Sequence, residues 1–311
     1  MFQYLYVQTE YSILQSSCKI KPLIEKLKNQ NAYACSITDE KTMYGTIKFY
    51  QECISNHMKP IIGLKVEMVY NDLHNNLILY AINNFGYQNL MKISSRMMLN
   101  NDRVVDYEYL QKASMGILAI LPYEESIIKR YLQHRNEKES LHILHILKET
   151  YDLLYIGIGI QTKLNSSEFI YLKNLFYENQ FQLVALPKVS FLEENDFDAY
   201  ITLRSILNNG ILIKEEENER LNYVHDIKEI EDIYYDEPTL IDNTMHISKI
   251  CQVEIIFGQY QLPLYQDGLD SFTYLKELCQ KGLDKRIQSF TYQYDKIIYL
   301  KRLYYELDVI Q

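Results

Sequence analysis

The residues of this chain best able to do chemistry are acids placed just beyond short apolar runs. Asp39 and Glu40 follow one such run, and Glu10 follows another. Oxygens from three carboxylates could hold Mg²⁺ or Mn²⁺. Two features oppose that. Neighbouring residues at a strand end point to opposite sides, so Asp39 and Glu40 do not readily face one ion. Lys65 and Lys188 also bring positive charge to positions where a cation would be repelled. A carboxylate in a solvated loop is the commoner situation. His142 and His145 are three residues apart, a spacing that can serve a metal. However, they share a helical face with Lys138 and Glu149, opposite Leu144 and Leu147, and read as the polar side of an amphipathic helix. The other five histidines are scattered. No phosphate-binding glycine loop, zinc-protease motif or nucleophile elbow occurs. Gly157-Ile158-Gly159 lacks a third glycine and reads as plain strand.

The elements that must position these residues alternate through the first two thirds of the chain. Apolar, β-rich runs occur at 4–8, 32–38, 61–69, 77–82, 116–121, 153–160 and 183–186. Between them lie helical patterns. Ile20, Leu23, Ile24 and Leu27 recur at i, i+3, i+4, i+7, with Ser16 or Ser17 as a cap and Pro22 near the first turn. Further helices are expected at 43–54 and 169–177. Repeated strand–helix–strand units predict an α/β fold with a parallel sheet, and seven strands suit a barrel. In a barrel, chemistry sits at the carboxyl ends of the strands. Those positions hold Gln8, Thr9 and Glu10; Asp39 and Glu40; Pro122 and Tyr123; and Lys188 and Ser190. Beyond about residue 208 come charged stretches at 214–220 and 229–237, expected to be solvated. Helices are expected at 239–251, 272–285 and 294–310. The last pattern has no stop signal, which reads as a chain that continues.

With 311 residues the chain has room for about two domains. Its 47% hydrophobic and 23% charged content excludes global disorder. The first residues lack the layout of a signal peptide, and no run reaches the ~18 apolar residues of a membrane span, so the expected location is the cytoplasm. A net charge of −9 argues against a DNA grip over much of the surface. Five cysteines without a CxxC pair fit reduced thiols.

Several stretches occur in an order that resembles a known family: VQTEYSILQSS, SITDEKTMYGTIKFYQECISNHMKPIIGLKV, NLILYAINNFGYQNLMKISS, LIDNTMHISKICQVEIIFGQYQLP and YLKELCQKGLDKR. The TDxxxMYGxxxFY segment followed by KPIIG, and NTxxIxxxCxVE at 243–254, carry most of the likeness. Together they resemble the amino-terminal part of the alpha subunit of bacterial DNA polymerase III. The resemblance implies a polymerase-and-histidinol-phosphatase (PHP) domain, a distorted seven-stranded TIM-like (β/α) barrel, at 1–207. A loop and helix extension at 208–266 would pack on it, and 267–311 would lead into the polymerase palm.

Family members with an intact site hold up to three metals and support phosphoester hydrolysis. Carried over by position, their first-strand histidines fall on Tyr6 and Gln8, and their Asp-His on Asp39 and Glu40. A glutamate falls on Lys65 and a histidine on Asn76, while the late Asp-x-His falls on Lys188 and Ser190. The ligand near Pro122 and Tyr123 is also missing. Only Asp39 survives, so the resemblance implies a degenerate site with no metal, no cofactor and no catalytic residue. The implied role is a silent scaffold for template-directed DNA synthesis, with Mg²⁺ in a palm outside this chain. Implied partners are that palm and thumb, DNA, dNTPs and a sliding clamp, with no membrane. The competing expectation is residual metal-dependent phosphoesterase activity, in proofreading or pyrophosphate hydrolysis, through Asp39, Glu40 and Glu10.

Overall fold

The computed structural model describes residues 1–208, 210, 217–259, 265, 268 and 270–311. These form two compact units, Met1–Glu254 and Ile255–Gln311. The boundary differs from the expected divisions at 207/208 and 266/267. Residues 214–216 of the expected charge run, and 260–264 of the expected extension at 208–266, lie outside the described residues.

The first unit runs β1 (Tyr6–Val7), α1 (Ile20–Asn29), β2 (Ala34–Ile37), α2 (Thr46–Ser55), β3 (Lys59–Tyr70), β4 (Leu73–Ala81), α3 (Asn84–Leu99), β5 (Val105–Asp106) and α4 (Tyr107–Lys112). It continues with β6 (Ile117–Pro122), α5 (Ile127–Gln133), α6 (Glu137–Thr150), β7 (Leu154–Ile158), α7 (Ser167–Glu178), β8 (Gln182–Ala185), β9 (Lys188–Val189), α8 (Phe197–Leu207), α9 (Ile227–Ile233) and α10 (Pro238–Ile250). The second unit holds α11 (Ser271–Ile287) and α12 (Lys296–Ile310), which contact each other and begin at Asp270 and Asp295 side-chain caps.

The strands curl into a distorted barrel. One sheet follows the order β2-β3-β4-β6-β7-β8, with β5 paired to β3. β1 pairs in parallel with β9, Tyr6 opposite Lys188, and Tyr4 bridges to Cys35 of β2. Hydrogen bonding thus passes from β9 through β1 to β2 and around to β8, whose chain continues through Leu186 and Pro187 into β9. The sheet is mixed, not parallel as expected: β4 runs antiparallel to both β3 and β6. A tight turn causes this inversion. Asn71 and Asp72, at φ 47° and 62°, join β3 to β4 as a hairpin, a conformation that Asn and Asp tolerate.

Periodicity explains the helical layer. Ile20, Leu23, Ile24 and Leu27 of α1 are all fully buried. The expected serine cap is absent; Lys19 precedes the helix without a side-chain cap, and Ser16 bonds the carbonyls of Gln8 and Ser190 instead. In α6, His142 and His145 lie on the exposed face with Lys138 and Glu149, while Leu144 and Leu147 are buried. Residues 229–237 are less solvated than their charge suggests, because Ile230 and Tyr234 are buried and the Tyr234 hydroxyl donates to the Ile158 carbonyl at 2.6 Å.

Inward residues of the strands, among them Ile61, Ile78, Tyr80, Ile120, Tyr155 and Val184, form one buried cluster that Ile247 and Cys251 of α10 and its end complete. Asn243 on α10 donates to the Leu183 carbonyl, and Thr244 accepts from the Gln3 amide. Both partners stand where strands begin, so α10 stoppers the amino-terminal end of the barrel. The opposite end stays free to carry a site. All five cysteines are free. No helix among the described residues is long and apolar enough to cross a membrane.

Gly86 opens α3 against Gly116, whose φ is +75°. A Cβ on Gly86 would lie 1.9 Å from the Gly116 carbonyl oxygen, so the two backbones must separate to admit it. Gly86→Ala is expected to destabilise the first unit by about 2–3 kcal/mol, measured by urea unfolding.

Candidate functional site

The carboxyl ends of β1, β2, β6 and β9 and the middle of β3 bring together most of the residues that the family likeness singles out. Asp39, just past β2, is 1% exposed. One of its oxygens accepts from the Thr9 amide at 2.6 Å and the Ser12 hydroxyl at 2.7 Å; the other accepts from the Thr9 hydroxyl at 2.7 Å. Burial pushes this carboxyl up to about 6, and the donors from Ser12 and Thr9 limit the rise. Both oxygens are engaged in fixing the loop after β1.

Glu40 turns the other way, as alternation requires. Its Oε2 accepts from Gln8 Nε2 at 3.3 Å and lies 3.2 Å from Lys65 Nζ. Lys65 projects from β3, its side chain only 7% exposed, and reaches a second acid, Glu125, at 2.7 Å. Glu125 lies on a single 3₁₀ turn, Tyr123–Glu125, directly after β6. Its other oxygen pairs with Lys188 Nζ at 2.8 Å, and the Tyr6 hydroxyl donates to the same carboxylate at 3.0 and 3.1 Å. Both ammoniums also stand near the Tyr6 ring, at 5.9 and 5.4 Å from its centroid. Asn76 donates to the Glu125 carbonyl, and Ser190 donates to Gln8 Oε1.

The electrostatics follow from this arrangement. Burial alone would raise Glu125, but the Lys188 and Lys65 ammoniums outweigh it and hold the carboxyl well below its usual range. Burial alone would lower Lys65 and Lys188; Glu125 beside them, with Tyr6, holds both above the ordinary lysine value. Burial and Glu125 push the Tyr6 phenol up, which keeps it a donor. Two cations face two anions, so the cluster is internally neutral.

These residues do not fit a metal. Catalytic ions need several free oxygen, nitrogen or sulfur donors converging at ~2.0–2.6 Å. Here Glu40 and Glu125 hold lysines, and Asp39 holds a loop. Glu10 pairs with Lys48 at 2.8 Å and does not join Asp39 and Glu40. Among the described residues, no three His, Cys, Asp or Glu side chains converge as a metal set. Beside the cluster opens a cavity of about 480 Å³, lined by Tyr6, Glu125 and Lys188 on one side and by Gln161 and Asn222 on the other. Glu125 was not singled out from the sequence. Its signal was the Glu124-Glu125 pair directly after the strand expected at 116–121.

Removing one partner from a buried ion cluster strands the others. Glu125→Gln is expected to cost about 3 kcal/mol, and adding Lys65→Met should cost at least about 1 kcal/mol less than the two single losses summed, as read by a urea double-mutant cycle. Asp39 has a separate signature. It binds its proton near pH 6 when folded, against an ordinary value of 3.8, so its contribution favours folding below pH 4. That contribution is lost as pH rises through 6, about 3 kcal/mol in all. Glu125 acts with the opposite sign, stabilising above pH 4.5 and losing this on acidification. Asp39→Asn should therefore flatten the fall in stability between pH 4 and 7 while leaving the acid limb in place.

The comparisons with known proteins agree with this architecture. A family model described as PHP domain matches residues 5–163. DNA polymerase III subunit alpha of Bacillus subtilis is 29% identical over 322 residues, covering 100% of this chain and 28% of that protein. The same subunit of Buchnera aphidicola subsp. Schizaphis graminum is 31% identical over 328 residues, covering 99% and 28%. An amidohydrolase structure from Chromobacterium violaceum aligns with a TM-score of 0.43 at 8% identity, covering 75% of this chain and 97% of that one, too distant to inform the site. The chain thus spans little more than a quarter of the length of the curated relatives it matches. With a matching family model over half its length and a strand-end cluster at the family's ligand positions, the chain belongs to the PHP domain family and is similar to the amino-terminal region of DNA polymerase III alpha subunits.

Proposed function

We propose that this PHP domain is a catalytically silent scaffold, in which two lysine ammoniums stand where family members carry metal ions. The observation that supports this reading is the Lys65–Glu125–Lys188 arrangement, with Glu40 as the second acid. A divalent ion activates water and polarises a phosphoryl oxygen; a protonated lysine held by a carboxylate does neither in the same way. No unpaired acid in the cluster is left to act as a base. What such a cluster does supply is charge neutralisation and a tie between strand ends.

The likeness to alpha subunits supports a scaffold for template-directed DNA synthesis in the cytoplasm. The nucleotidyltransferase centre, with its Mg²⁺, would lie in a palm outside these residues, and the palm and thumb would be the domain's nearest partners. DNA, dNTPs and a sliding clamp would be engaged through the larger protein.

The test is calorimetric titration of the chain with Mn²⁺ and Zn²⁺, paired with melting in the presence of EDTA and an assay on bis(4-nitrophenyl) phosphate. The expected results are no site tighter than about 1 mM, an unchanged melting temperature and no hydrolysis. A stoichiometric metal, or cleavage abolished by Asp39→Asn, would overturn the proposal.

A further inference from the structure

We propose that the cavity beside the lysine–glutamate cluster binds a small neutral polyol, a sugar or cyclitol. The inference rests on the silent-scaffold reading, because an ion seated at the barrel mouth would draw an anion instead. Asn222 carries it. This residue is 4% exposed and lines the cavity of about 480 Å³. The Ser190 amide donates to its backbone carbonyl at 2.8 Å, and Gln161 Nε2 donates to its side-chain Oδ1 at 3.3 Å. The second bond fixes which end of the amide is oxygen and leaves Nδ2 without a partner among the described residues. Unlike the enclosed Tyr123 hydroxyl, this Nδ2 keeps accessible surface, and the cavity is the space it opens on. A nearly buried donor with one opening is completed by what enters that opening.

Gln161 supplies an acceptor to match. Its Oε1 lies over Gly159, 2.4 Å from where a Cβ on that residue would stand, so the missing side chain gives the Gln161 amide its seat. No donor reaches this oxygen among the described residues. The charge of the walls then selects the ligand. Glu124, Glu125 and Glu219 are held by Lys129, Lys188 and Arg204. Lys163 and Glu168, one of each sign, have no ion-pair partner among the described residues. The walls are thus neutral on balance. An anion would have to take a lysine from its carboxylate, and a cation would have to take a glutamate from its ammonium. A hydroxyl does neither, because it donates and accepts at once. Several hydroxyls on one ring meet the Asn222 donor, the Gln161 acceptor and the spare lone pairs of the glutamates together, and the cavity has room for such a ring.

The experiment titrates the isotope-labelled chain, in EDTA, with myo-inositol, D-ribose and trehalose, and with inorganic phosphate as the charged counterpart. At least one polyol is expected to move the Asn222 side-chain amide resonance with a Kd below about 5 mM, and phosphate is expected not to. Asn222→Leu should weaken that binding about tenfold, the effect of one lost hydrogen bond. Its backbone contact to Ser190 persists, so the melting temperature should stay within about 3 °C of the parent. Gly159→Ala, which unseats Gln161 and leaves Asn222 in place, should weaken binding to a similar extent. A parallel titration with Mn²⁺ separates two failures. A stoichiometric ion would overturn the silent-scaffold reading and this inference with it. Without such an ion, three results would each overturn this inference alone: no polyol shift up to about 50 mM, affinity unaltered in either variant, or phosphate binding more tightly than every polyol.

Discussion

The mouth of the barrel is organised by one carboxylate, Glu125, held between a buried ammonium, a partly buried one and a phenol. Its partners come from distant parts of the chain: Tyr6 from β1, Lys65 from β3 and Lys188 from β9. With Glu40 on the far side of Lys65, the cluster links the end of β2 as well. A polynuclear metal centre at this place would tie strand ends through bridging ligands. Here ammonium groups link the strand ends through ion pairs. Taking four charges largely out of water is costly, and what makes it tolerable is that each has an opposite partner at hydrogen-bond distance. Such a cluster is better understood as setting the register of the strand ends than as a source of net stability.

Asp39 completes this picture from the other side of the same strand end. It is the one acid that the family likeness leaves unchanged, yet its two oxygens are saturated by Thr9 and Ser12. The carboxylate anchors the loop after β1. The amino-terminal end of the barrel is managed without charge, by Ile247 and Cys251 closing over the strand core. One end is therefore sealed by apolar packing and the other by ion pairing.

How much of this was readable in advance depended on the range of the interaction. The helices of the first unit follow apolar periodicity, and all seven anticipated strands are present. β5 and β9, of two residues each, are too short to leave a pattern. The antiparallel turn at Asn71-Asp72 does leave one, since both residues favour the left-handed region, but strand–helix alternation on either side masked it. Lys65 and Lys188 stood out in the sequence as positive charges at ligand positions. Their shared partner was not legible, because Glu125 is 60 residues from one and 63 from the other and only the curled sheet unites them. Pairs such as Glu10–Lys48 escaped for the same reason.

The seam between β1 and β9 bears on how the chain is made. Tyr6 finds its strand partner in Lys188, so β1 cannot be paired on that side until β9 has been synthesised. At roughly 5–20 residues per second, that edge waits on the order of ten seconds or more for its partner. Long-range closure of this kind slows folding and exposes the nascent chain to misassembly. Cover for the open edge of β1, by a chaperone or by the neighbouring α1, is what this topology calls for until β9 arrives.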